Sequence, residues 1–269
     1  MRVDRLLKTR VNMRAEVRVP EPLLSIRGLC KRYGGVVATD DLDLAVAPGG
    51  VHALIGPNGA GKTTLIAQIS GEVASAAGRI VFAGRDITMT PAHRRVAMGI
   101  ARSFQITRIF ANLSVHANVA LAVQAHSGSS MRFWRPVASE HILREAVDAI
   151  LVEFDLAADA GRAAASLPHA AQRRLEIALA CACAPRLLLL DEPLAGMGAE
   201  DAQSMIELIA RLKARVTMVL VEHDMDAVFR LADTVTVLVA GRVIASGAPS
   251  AIRDNADVRT AYLGDEAAA

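Results

Sequence analysis

The chain has 269 residues, of which 52% are apolar but only 3% aromatic, with 30 basic and 28 acidic side chains and three cysteines. That balance describes one sizeable globular domain, or one domain carrying an inserted lobe, and excludes a disordered, collagenous or disulfide-scaffold chain. A net charge of +2 and nine aromatic residues in all offer little to a polyanion or to stacked bases, so no nucleic acid is expected as a partner.

Residues 1–22 read as a flexible basic tail. Six basic residues face two acidic ones within the first 20, leaving 24 basic and 26 acidic residues in the remainder; the stretch lacks the apolar centre of a signal peptide. From Leu23 the pattern is strand-like. Leu24-Ser25-Ile26-Arg27-Gly28-Leu29 alternates, and Leu42-Asp43-Leu44-Ala45-Val46 alternates again before a turn at Pro48-Gly49-Gly50, which predicts antiparallel strands. Val51-His52-Ala53-Leu54-Ile55 is a short apolar strand that breaks at a glycine-rich loop, and Leu65-Ile66-Ala67-Gln68-Ile69 resumes with helical spacing. Residues 79–87 predict another strand and turn.

Beyond about residue 105 the chain becomes an alanine-rich helical lobe. Leu143, Val147, Ile150, Leu151 and Phe154 share one helical face, and residues 127–130 (Ser-Gly-Ser-Ser) read as a loop. The longest unbroken apolar stretch, residues 177–184, is less than half of the roughly 20 residues a spanning helix needs, although the mean hydropathy is +0.32. Cys181 and Cys183 lie in that stretch, match no zinc or redox spacing, and read as small hydrophobes in a reducing compartment, with the cytoplasm as the expected location. Strands return at residues 187–190 and 216–221 and as a hairpin at 235–239 and 242–244. The fold class is α/β, interrupted by a helical insert.

Three sites carry chemistry. Gly56-Pro57-Asn58-Gly59-Ala60-Gly61-Lys62-Thr63, followed by Thr64, fits G-x-x-x-x-G-K-[ST] between a strand and a helix. In that setting backbone N–H groups and the helix N-terminus cradle phosphates, Lys62 reaches the β- and γ-phosphates and Thr63 ligates Mg²⁺. Four leucines then lead into Asp191 and Glu192; a buried strand delivering two carboxylates to a sheet edge suits a Mg²⁺-shell ligand at 191 and a water-activating base at 192. His223 follows the next strand and Glu222, placed to contact the γ-phosphate and orient the water.

In this order the motifs resemble the nucleotide-binding subunits of ATP-binding-cassette (ABC) transporters over residues 23–264. The resemblance implies a P-loop NTPase core with a mixed sheet, an antiparallel β subdomain and an inserted helical subdomain: core 23–105, helical subdomain 106–165, core 166–248 and a C-terminal tail 249–269. It implies that Tyr33 stacks on adenine, that Gln105 touches Mg²⁺ and water and links core to helical lobe, and that residues 195–199 cross a dimer interface. The stretches GIARSFQITRIFANLSVHANV, QRRLEIALA and DEPLAGMGAE, with the ending around AYLG, are most similar to the subunits that drive importers of branched-chain amino acids, urea or short amides. ATP and Mg²⁺ are the implied cofactors. The implied partners are a second cassette subunit, integral membrane permease subunits and, indirectly, a periplasmic binding protein, with the chain on the cytoplasmic face of the inner membrane.

One motif departs from the family. The signature, commonly Leu-Ser-Gly-Gly-Gln, falls at Leu167, Pro168, His169, Ala170 and Ala171, with Ala170 where a glycine is expected. In a sandwich dimer this segment meets the nucleotide held by the partner's phosphate loop. Loss of such a contact costs roughly 2.7–4 kcal/mol in a transition state, so a heterodimer with one strong and one weak site is expected ahead of a homodimer. A regulatory, weakly hydrolysing subunit is the alternative, and a soluble cassette acting on nucleic acid a remote one.

Overall fold

The computed structural model of the protein describes residues 21–103, 109–126 and 137–260. The N-terminal tail to residue 20, Gln105 with its neighbours, the loop at 127–130 and the AYLG ending lie outside them.

Two sheets build the core. The first is antiparallel: β1 (Leu24–Tyr33) pairs with β2 (Val36–Val46) and with β4 (Ala77–Phe82), and β5 (Arg85–Asp86) closes a hairpin on β4. The second has six strands, which besides β3 (Val51–Ile55) are β6 (Ile100–Arg102), β7 (Leu187–Asp191), β8 (Thr217–Val221), β9 (Thr234–Val239) and β10 (Arg242–Gly247). They run β10-β9-β3-β8-β7-β6, all parallel except β10, so the sheet is mixed. Helix α1 (Lys62–Ser70) lies between the sheets, with Leu65, Ile66 and Ile69 fully buried in a cluster that also takes Leu24 and Phe82 from one sheet and Leu54 and Val221 from the other.

Leu187, Leu188, Leu189 and Leu190 of β7 are all 0% exposed. Leu187 and Leu189 face the α1 side, Leu188 and Leu190 the opposite cluster, and β8 divides in the same way. A strand buried on both faces must be apolar throughout, which is why no alternation marks it. Each such leucine contributes about 1.5–3 kcal/mol of burial. The opposite face is covered by α5 (His169–Ala182), α6 (Ala199–Leu212) and α7 (Met225–Leu231), while α3 (Val115–His126) and α4 (Val137–Glu153) pack on α5. Val147, Leu151 and Phe154 are buried there as the helical spacing predicts, with Ile150 partly buried.

The short helix α2 (Ala92–Ala97) has no counterpart in the sequence pattern. Its Arg95, 3% exposed, donates to the carbonyls of Gln68 and Ile69 at 2.7 and 2.9 Å, capping α1 from outside. Helix α8 (Pro249–Arg253) packs on β9 and β10. The cysteines described are free and partly buried; burial and Glu153 push the Cys181 thiol up to about 12, leaving it inert.

Candidate nucleotide-binding site

The strand order puts β8 between β3 and β7, so the loops leaving their C-terminal ends converge. Between β3 and α1 the backbone is forced into left-handed conformations at two tight approaches. A Cβ on Gly56 (φ +150°) would lie 2.1 Å from the carbonyl oxygen of Leu238, and one on Gly61 (φ +101°) 2.0 Å from that of Ala38. Only glycine fits either place. The β9–β10 turn holds the loop from outside through Gly241 N–H to Ala60 O at 3.0 Å.

This loop opens a cavity of about 280 Å³. It is lined by Asn58, Gly59, Ala60, Gly61, Lys62, Thr63 and Thr64 from the loop and α1, by Tyr33, Val36 and Ala38 from the first sheet, and by Glu192 and His223. Gly56 and Pro57 lie beneath it: their carbonyls accept hydrogen bonds from Lys62 Nζ at 2.6 and 3.0 Å. Lys62 is 6% exposed; burial lowers its pKa, opposed by the charges of Glu192 and Asp191. Tyr33 is 49% exposed at the cavity edge, with the Lys31 ammonium 5.1 Å from its ring centre.

Glu192 sits at the end of β7 with φ +50° and places Oε1 2.5 Å from His223 Nε2. The pair faces the loop across the cavity. Beneath it Glu222, buried, accepts from Leu194 N–H at 2.8 Å and His223 N–H at 3.1 Å, bracing the segments that carry both residues. Burial raises the Glu222 pKa, and these backbone donors pull it back.

Asp191 is wholly buried. Its Oδ2 meets Arg102 Nη2 at 3.1 Å, while its Oδ1 has no hydrogen-bond partner among the described residues. Burial raises its pKa and Arg102 opposes the rise. A buried carboxylate oxygen without a donor, close enough to Lys62 to act on its charge, suits a divalent cation carried on phosphates, which needs few protein oxygens. Arg102, Glu222 and Arg173 are the side chains that sequence patterning missed. Arg173 left one trace, a charged residue paired at i,i+3 with Glu176 on the buried face of α5.

The segment 167–171 lies elsewhere on the surface. Pro168 precedes the first turn of α5, and Pro168 and His169 are exposed. Ala170 and Ala171 are 5% and 8% exposed; Ala170 has no left-handed φ, and its methyl group is buried. His169 and Arg173 border a cavity of about 460 Å³ with Ala195 and Gly196.

A glycine loop opening a helix beside a parallel sheet, with a carboxylate–imidazole pair facing it, defines a P-loop ATPase. The profile of the ABC transporter family matches residues 39–195, and that of the branched-chain amino acid ATP-binding cassette transporters matches residues 242–268. The chain is 37% identical over 251 residues to the high-affinity branched-chain amino acid transport ATP-binding protein BraF of Pseudomonas aeruginosa, covering 91% of this chain and 98% of that protein. It is 36% identical over 252 residues to the corresponding protein LivG of Escherichia coli K12, covering 91% and 99%. The crystal structure of the ADP conformation of MJ1267, an ATP-binding cassette of an ABC transporter, superposes with a TM-score of 0.78 at 27% identity over 90% of this chain and 99% of that one. The chain belongs to the ABC transporter family and is a nucleotide-binding ATPase subunit of such a transporter. No helix among the described residues is long and apolar enough to cross a membrane.

Proposed function

We propose that this chain hydrolyses Mg-ATP to drive an importer of branched-chain amino acids or of related small amides or urea, working on the cytoplasmic face of the inner membrane. The observation that carries the reading is the Glu192–His223 contact of 2.5 Å facing the phosphate loop across one cavity. Tyr33 stacks on the adenine, and the backbone of residues 56–64 and Lys62 hold the phosphates. Glu192 takes the proton of the attacking water, and His223 orients that water and contacts the γ-phosphate. Thr63 and Asp191, with Gln105, would hold Mg²⁺, which supplies charge neutralisation at the phosphates. ATP favours the closed cassette pair because it binds that state better than the open one. The helical subdomain passes the closure to permease subunits, which receive cargo from a periplasmic binding protein.

The departure at Pro168, His169 and Ala170 supports a heterodimer in which this chain's signature serves the weaker site. With the Ala170 methyl buried, its influence runs through the setting of the first α5 turn. Restoring Ala170→Gly should raise hydrolysis by the assembled pair, by at most the roughly 10²–10³-fold that one lost donor costs; an unchanged rate removes the asymmetry. The importer reading is tested by uptake of labelled leucine and labelled urea in cells lacking this chain. Uptake of one of them restored by wild type and not by Glu192→Gln supports the reading, and neither restored contradicts it.

A further inference from the structure

We propose that Arg173 is a positioning residue for ATP hydrolysis. From the first turns of α5 it clamps the backbone around Glu192, and so ties the aim of that carboxylate to the 167–171 segment just upstream. The inference rests on the reading of Glu192 as the base that activates water.

Glu192 is a non-glycine residue held at φ +50°, a conformation that persists only where the surroundings over-determine it. Its N–H donates to Val221 O at 2.9 Å, and its carbonyl accepts from Ala195 N–H at 3.2 Å. The Arg173 guanidinium adds the contact that spans the residue: Nη2 donates at 3.0 Å to the carbonyl of Asp191 and at 3.0 Å to that of Glu192. Those two carbonyls belong to the peptide planes on either side of the Glu192 Cα. Fixing both fixes φ and ψ together, and with them the direction in which the carboxylate leaves the backbone.

The fork is itself held in place. Nη1 pairs with Glu176 Oε2 at 2.8 Å, and both side chains are 4% exposed. A planar guanidinium can serve three acceptors at fixed angles, which a lysine ammonium cannot reproduce. Arg173 lies one helical turn beyond His169, and the two share the 460 Å³ cavity with Ala195 and Gly196. A shift of the first α5 turn therefore moves the fork, and the fork moves the peptide planes of Glu192. One buried side chain thus links the surface beside His169 to the chain's own hydrolytic centre.

The test compares full-length wild type, Arg173→Ala, Arg173→Lys and Glu192→Gln, each in the assembled cassette pair, for steady-state kcat and KM and for fluorescent-ATP affinity. The expected result for Arg173→Ala is a kcat at least tenfold lower, with KM and nucleotide affinity within threefold of wild type, and with partial recovery of kcat in millimolar methylguanidinium admitted through the cavity. Arg173→Lys should fall between, and Glu192→Gln should not respond to methylguanidinium. A wild-type kcat in Arg173→Ala overturns the inference, as does a parallel loss of kcat and nucleotide affinity without chemical rescue. If Arg173→Ala does not fold, Arg173→Lys decides by the same split of kcat from KM. Wild type lacking Glu192-dependent turnover overturns the underlying reading as well, whereas normal wild-type turnover beside an unaffected Arg173→Ala overturns this inference alone.

Discussion

Replacing Arg102 by methionine removes the guanidinium that bridges Glu72 and Asp191, at 2.9 and 3.1 Å. The two ends differ in worth. The Glu72 side chain is 35% exposed, so that end contributes at most about 1 kcal/mol. The Asp191 side chain is 0% exposed, and deleting one partner of a buried pair costs about 3–5 kcal/mol because the other charge stays behind. Lys62 lies close enough to share that charge, which puts the expected loss near the lower end, about 3 kcal/mol. For a chain of this size the unfolding midpoint then falls by roughly 6–12 °C. Urea unfolding without nucleotide, on wild type, Arg102→Met, Asp191→Asn and the double variant, reads the effect, and the double-mutant cycle should return a coupling of at least about 2 kcal/mol. An Arg102→Met protein within about 0.5 kcal/mol of wild type, or strictly additive single changes, would refute the reasoning.

Two further outcomes follow from the buried side chains of His52 and Lys62. His52 of β3 is 5% exposed, bonds Thr236 Oγ1 at 2.8 Å and has its pKa lowered by burial from 6.5 to about 4. The unfolded chain binds a proton below pH 6.5 and the folded chain does not, so this contribution is complete above that pH and is lost as the pH falls towards 4. Between pH 8 and pH 5 it amounts to about 2 kcal/mol, which urea unfolding at both pH values should show in wild type and not in His52→Gln; equal losses would contradict the assignment. Lys62→Met removes a charge-assisted phosphate contact worth about 2–3 kcal/mol, so fluorescent-nucleotide affinity should fall roughly 30- to 140-fold, and unaltered affinity would displace Lys62 from the site.

Much of this was legible in the sequence because burial on both faces leaves a plain signature. The leucines of β7 and the apolar runs of β3 and β8 had to be strands of a covered parallel sheet, and the glycines at 56 and 61 had to sit where no Cβ fits. Where the pattern was short or the contact distant, reading failed. The three residues of β6 and six of α2 are too few for a period, and the reach of Arg102 to Asp191, 89 positions away, leaves no local trace. At the 167–171 segment the Ala170 methyl is buried, whereas Pro168 and His169 are exposed. Helical phase alone could not assign those faces before the helix start at His169 was known.

The central claim, that the carboxylate facing the phosphate loop activates water, is tested most directly by steady-state Mg-ATP hydrolysis of the assembled cassette pair carrying full-length wild type or Glu192→Gln, with nucleotide binding measured on both. The account predicts turnover by wild type and a loss of at least about 100-fold in the variant, with nucleotide affinity retained. Hydrolysis by Glu192→Gln at the wild-type rate would contradict it.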